Sequence, residues 1–139
     1  MEPTLLLSAD TRSTAGVILL TIVAIEYGGV FMLRIVRGQH PATPFQATFA
    51  RAGHAHAGVL VTLALVCQIL ADAAAMSGPL ALLARNGIPL AAILMPAGFF
   101  FSSMGRGVTQ PNRWIVLLYA GAISLAVGVV SLGIALLST

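Results

Sequence analysis

Charged side chains are scarce in this chain, and lysine is absent altogether. Of its 139 residues only 8% are charged, whereas soluble domains carry about 25%. A soluble fold of this length would lack the polar surface needed to cover itself. The seven basic residues are all arginines, which are scattered singly near the ends of apolar segments. A nucleic-acid-binding protein needs a clustered basic face, so we expect no nucleic-acid partner.

Cysteine and recognisable catalytic groups are equally sparse. The single cysteine, Cys67, lies inside an apolar run and cannot form an intrachain disulfide, so it says nothing about redox compartment. No nucleophile with an adjacent base, phosphate-binding loop or pair of carboxylates stands out, and hydrolase and phosphotransferase functions have no support. The expectation is therefore a protein that is not an enzyme.

Long apolar stretches dominate what is present. Hydrophobic residues make up 58% of the chain, and the mean hydropathy is +0.98. Four stretches approach the ~20 residues that cross a bilayer. They lie at about 15–33, 52–75, 88–104 and 114–138. The sequence thus predicts an all-α integral membrane four-helix bundle in which residues 1–139 form one transmembrane domain, with the lipid bilayer as its surroundings.

The starts of the first and third stretches carry charged or polar residues. Acidic residues precede the first stretch and no clear cleavage site follows it, so we expect a retained helix rather than a signal peptide. Before the third stretch, Arg85, Asn86 and Gly87 argue against continuous insertion. Residues 79–84 are then expected either to lengthen the span or to form a short interfacial helix.

The arginines also predict an orientation. Five lie in the 1–2 and 3–4 connections and two lie in the N-terminal segment and the 2–3 connection. Basic residues favour the cytoplasmic side. This bias predicts a multi-pass protein of the cytoplasmic (inner) membrane, with both termini on the outer side.

Small residues recur on one face of the fourth stretch, at steps of three and four. They are Gly121, Ser124, Gly128, Ser131 and Ala135. Because small residues let membrane helices approach closely, this stripe is predicted to contact another helix.

Ionisable side chains at membrane depth are the best lead to function, because they are expensive in hydrocarbon. Glu26 lies roughly 10 Å from the inner end of the first span and His56 roughly 7 Å from Arg51, at the start of the second. His54 is separated from His56 by about 200° of helix rotation, so the two cannot chelate one ion from a straight helix. We predict a polar site formed by Glu26 with at least one of the histidines.

Several polar neighbours are predicted to support this site. They are Tyr27, Gln46, Arg51 and Gln68. One hypothesis is a transition-metal site at Glu26, His54 and His56, or a haem bound by the histidines. A second is an oligomeric channel or carrier that relays protons or a small solute. The third is an accessory membrane subunit in which these groups are structural. The identity of any cofactor is left open.

Three resemblances add expectations. Residues 45–58, with Gln110-Pro111-Asn112-Arg113, resemble a group of small four-span actinobacterial membrane proteins, which implies no activity. The core Gly53-His54-Ala55-His56 resembles helices of haem-copper oxidase subunit I and its small relatives, whose histidines ligate haem or copper. This resemblance implies His54 and His56 as cofactor ligands.

The four-span layout, with Arg51-Ala52 opening the second span, is similar to the MAPEG proteins. That family continues to an Asn and a Glu, where this sequence has Ala55 and Gly58. Glutathione chemistry is therefore not expected. What this resemblance implies is a homo-oligomer of four-helix protomers; a subunit of a larger membrane complex is the alternative.

Overall fold

Four long helices make up almost all of the fold in the computed structural model, which describes residues 6–138. They are α1 (Ala9–Val36), α2 (Pro44–Ala73), α3 (Gly78–Ser102) and α4 (Val116–Leu137), the last preceded by a 3₁₀ turn at Arg113–Ile115. No strand occurs in these residues. Each helix is long and apolar enough to cross a membrane, which indicates a membrane protein and confirms the predicted all-α four-helix bundle.

Local sequence explains where the helices begin. Ser8 caps α1 by accepting a hydrogen bond from the backbone N–H of Thr11 at 3.1 Å. Thr43 and Gln46 form a reciprocal capping box at the start of α2, with Pro44 in the first turn, where its missing N–H has no cost. These contacts satisfy backbone groups that have no partner inside a helix.

The third helix begins ten residues before the predicted span. It runs continuously from Gly78 through Arg85 and past Pro89 and Pro96. The guanidinium of Arg85 lies 2.5 Å from a carboxylate oxygen of Asp72 on α2. The charge of Arg85 is therefore compensated inside the bundle, and the helix continues through it.

Successive helices are neighbours and run antiparallel. α1 packs on α2, α2 on α3, and α3 on α4, and the last of these interfaces is the most extensive. The start of α1, the α2–α3 connection and the end of α4 therefore share one end of the bundle, here called the terminal end. The connections at 37–43 and 103–112 lie at the other, the loop end.

Glycines bring α3 and α4 into backbone contact. A Cβ atom on Gly87 would lie 2.8 Å from the carbonyl oxygen of Ser124, and one on Gly128 would lie 3.0 Å from the backbone nitrogen of Ile88. The Ser124 hydroxyl also donates to the carbonyl of Gly87 at 2.8 Å. The prediction that the α4 stripe contacts another helix is confirmed.

Candidate functional site

A cavity of about 520 Å³ separates α1 from α3, with α2 as its floor. We call it the central groove. Val17 and Ile93, on its two walls, are 62% and 66% exposed, so the groove opens at the surface between α1 and α3. Its lining is mostly aliphatic. The polar lining residues are Ser13, Thr14, Thr21 and His54.

His54 projects from α2 towards α1 and lines the groove. A Cβ atom on Gly28 would lie 3.3 Å from its Nδ1 atom, and one on Gly29 would lie 3.6 Å from its Nε2 atom. The two glycines therefore make room for the ring. Neither nitrogen has a hydrogen-bond partner among residues 6–138, and neither is sealed from the surrounding space. His54 thus offers free hydrogen-bonding groups to a molecule in the groove.

His56 lies on the other side of α2. Its ring centroid is 4.9 Å from that of Phe99 on α3, and its Nδ1 atom lies 2.7 Å from the carbonyl oxygen of Ala52. Since a carbonyl only accepts, Nδ1 donates this bond. His54 and His56 thus point to opposite sides of α2, as the helix rotation of about 200° between them predicts.

Glu26 is not brought to either histidine. Its side chain is exposed and, within the described part of the chain, it makes no hydrogen bond or ion pair. Tyr27 beside it is 72% exposed, and Arg51 is exposed as well. Within residues 6–138, no three His, Cys, Asp or Glu side chains are grouped so that they could hold a metal ion. The predicted Glu–His polar site is therefore not assembled within one copy of the chain.

The two predicted glutamines lie at opposite ends of the bundle. Gln46 donates through Nε2 to the backbone carbonyls of Ser103 and Gly105, at 3.0 and 2.8 Å. This ties the 103–112 connection to the start of α2. Gln68 is only 2% exposed and donates to the carbonyl of Arg85 at 2.7 Å. Both glutamines have structural partners instead of supporting Glu26.

Sequence reasoning missed a polar cluster at the terminal end. Its members are Ser8, Thr11, Gln68, Asp72 and Arg85, and we call it the terminal cluster. The carboxylate of Asp72 accepts from the backbone N–H of Ser8 at 2.8 Å and pairs with Arg85. Arg85 also donates to the hydroxyl of Thr11 at 2.7 Å. The sequence did contain one indication of this cluster, because Asp72 and Arg85 carry opposite charges on either side of the short α2–α3 connection.

The terminal cluster is also what joins α1 to α3. The bond between Arg85 and Thr11 spans the two helices on either side of the groove. It therefore fixes their separation at the terminal end.

Phe100 lies at the other end of the groove. It also lines a second cavity of about 400 Å³ at the loop end, together with Phe31, His40 and Gln46. The phenyl ring thus stands between the groove and the loop end. Nothing in the sequence distinguishes Phe100 from its neighbours Phe99 and Phe101.

No protein-family model, curated protein or solved structure matches this chain. The resemblances described from the sequence stay predictions.

Proposed function

We propose that this chain is an integral membrane protein that binds a neutral, lipid-soluble molecule in the central groove. The ligand would have an apolar body and a carbonyl or hydroxyl group, which hydrogen-bonds to His54. The observation that supports this proposal is the pair of free nitrogens of His54 at the wall of an apolar cavity. Small-molecule sites have this character: a concave apolar lining with few placed polar groups.

The charge of the lining favours a neutral ligand. None of the described residues around the groove is Asp, Glu, Lys or Arg. An ionised group placed there would lose its hydration without gaining an opposite charge. The opening between α1 and α3 would let such a ligand enter from the lipid.

Haem and transition-metal ions fit this lining less well. A haem needs only one or two axial protein ligands, which His54 could provide, but its propionate carboxylates would find no cation in the groove. A bare metal ion needs several protein ligands, and the described residues group no three of them. The visible spectrum of the purified protein distinguishes haem from a neutral ligand.

Extraction and mass spectrometry of the purified protein, with its visible spectrum, test the proposal. We expect a neutral lipid-soluble compound to co-purify with the wild type. His54→Ala should reduce its content roughly fivefold, since a hydrogen bond contributes about 1 kcal/mol. His56→Ala is the matched control and should retain the compound, because His56 faces α3.

Three results would contradict the proposal. A haem absorption band in the wild type that His54→Ala removes would favour haem. Equal compound content in the wild type and His54→Ala would show non-specific lipid association. A protein that binds neither would leave the accessory-subunit hypothesis in front.

A relay of protons or solutes has less support. It needs polar groups connected across the membrane, whereas His54, His56 and Glu26 face three different surroundings. No hydrogen bond joins them within residues 6–138.

The proposed orientation places both termini on the outer side of the cytoplasmic membrane. It is supported by the five arginines in or near the two loop-end connections. Cysteine labelling in intact cells tests it. In a Cys67→Ala background, Gln39→Cys should be protected from an impermeant reagent until the membrane is permeabilised, and labelling from outside would reverse the orientation.

A further inference from the structure

Within residues 6–138, nothing covers one face of α1. Only 6% of the most apolar window of α1 is buried. Glu26 is exposed on α1 and does not line the groove. Its apolar neighbours Leu19, Val23, Val30 and Leu33 are 53%, 67%, 47% and 45% exposed.

The spacing of these five residues is that of a helix–helix seam. From Leu19 to Leu33 the steps are four, three, four and three residues. Alternating steps of this kind keep a line of side chains facing a parallel partner helix. A single polar residue in such a seam fixes the register and the number of helices. Glu26 is the single polar residue here. We call this face the Glu26 seam.

The carboxyl of Glu26 restricts what can cover the seam. Ionisable groups at membrane depth face protein or water, because hydrocarbon offers them no partner. The arginine that follows on α1 is Arg34, eight residues towards the loop end and so roughly 12 Å away. A carboxyl can, however, be satisfied by another carboxyl when the two share a proton. The Glu26 carboxyls of two copies can therefore satisfy one another if the copies are related by a twofold axis along the membrane normal.

We propose that the Glu26 seam is the contact between two copies of this chain, which form a parallel dimer in which the two Glu26 carboxyls share a proton. The proposal depends on the membrane location in the proposed function but not on a ligand in the groove.

The dissociation constant of the dimer in detergent or vesicles tests this contact. Hydrogen bonds between membrane helices contribute about 0.6–2 kcal/mol, so Glu26→Ala should weaken the dimer roughly three- to thirtyfold. Glu26→Gln keeps a donor and an acceptor and should retain most of the affinity. Ile123→Ala, on the 66% exposed surface of α4, is the control for loss of a lipid-facing side chain and should change nothing.

His54→Ala separates this proposal from the ligand site. It should deplete the groove ligand and leave the dimer intact. A monomeric wild type, or a dimer unaffected by Glu26→Ala, would overturn the Glu26 seam. Equal weakening by Glu26→Gln and Glu26→Ala would overturn the shared proton.

Cross-linking in native membranes gives a test that does not depend on solubilisation. In the Cys67→Ala background, Val30→Cys should form a disulfide between copies on mild oxidation, because Val30 lies in the Glu26 seam. Ile123→Cys should not. Efficient cross-linking at Ile123→Cys alone would place the contact on α4 and contradict the proposal.

Discussion

The two outer helices, α4 and α1, are packed in opposite ways. α4 meets α3 through glycines on both helices, at distances that admit no further atom. α1 meets α2 and leaves a cavity of about 520 Å³ towards α3. The buried share of the most apolar window is 22% in the fourth span and 6% in α1.

This difference separates a scaffold from a binding site. Close backbone approach stabilises membrane helices where lipid gives no hydrophobic driving force, so α3 and α4 form the firm part of the bundle. The groove exists because α1 and α3 lack such an approach. The terminal cluster fixes the separation of α1 and α3 at one end of the groove, whereas Gly28 and Gly29 make room for the His54 ring between α1 and α2.

The largest expected effect is on the scaffold. In Gly98→Ala the new Cβ atom would meet the backbone of Leu118 closer than real Cβ atoms approach. Because backbone cannot move aside cheaply, we expect a loss of about 3 kcal/mol in the free energy of unfolding, measured by denaturation in detergent. Gly133→Ala is the matched control on α4, since nothing lies within 4 Å of its added atom. Equal stability of the two variants would break the contrast between α4 and α1.

A smaller loss is expected at the terminal cluster. Asp72→Ala would leave Arg85 without its carboxylate, and breaking a buried pair costs about 3–5 kcal/mol. The side chain of Arg85 is 20% exposed and keeps Thr11, so we expect about 2 kcal/mol. Asp10→Ala, an exposed acid of α1, should change the unfolding free energy by less than about 0.5 kcal/mol. If Asp10→Ala lost as much unfolding free energy as Asp72→Ala, the loss would come from the change in net charge and not from the terminal cluster.

The smallest effect on stability is expected beside His54. In Gly28→Ala the new atom would lie 3.3 Å from Nδ1, so the ring must shift by a few tenths of an ångström. The helix gains about 0.5–1 kcal/mol from alanine, which offsets this contact. We therefore expect nearly unchanged stability and a lower ligand content. Gly16→Ala, with open space around it, should raise stability and keep the ligand.

Helix number and the α4 stripe were predictable from the sequence, because both depend on composition and on small residues at fixed spacing. The lack of contact between Glu26 and the two histidines was not predictable. α1 is apolar on all sides, so the sequence does not fix its rotation, and depth alone placed Glu26 level with the histidines. The structure turns Gly28 and Gly29 towards His54 instead.

The groove could not be read from the sequence either. A cavity depends on which helices fail to pack, and α1 and α3 are far apart in the chain. The terminal cluster was missed for a related reason. The sequence alone indicates Arg85 as a break in the third span, whereas the structure pairs it with Asp72 within a continuous helix.

Filling the groove tests the central claim most directly. Ala24 lines the groove but is exposed, so Ala24→Phe would occupy the cavity without disturbing a buried contact. Ala120→Phe adds the same ring to an exposed position on α4. The measurement is the amount of neutral lipid-soluble compound per protein after purification. We predict that Ala24→Phe loses it while Ala120→Phe retains the wild-type amount; equal retention in both variants would contradict ligand binding in the groove.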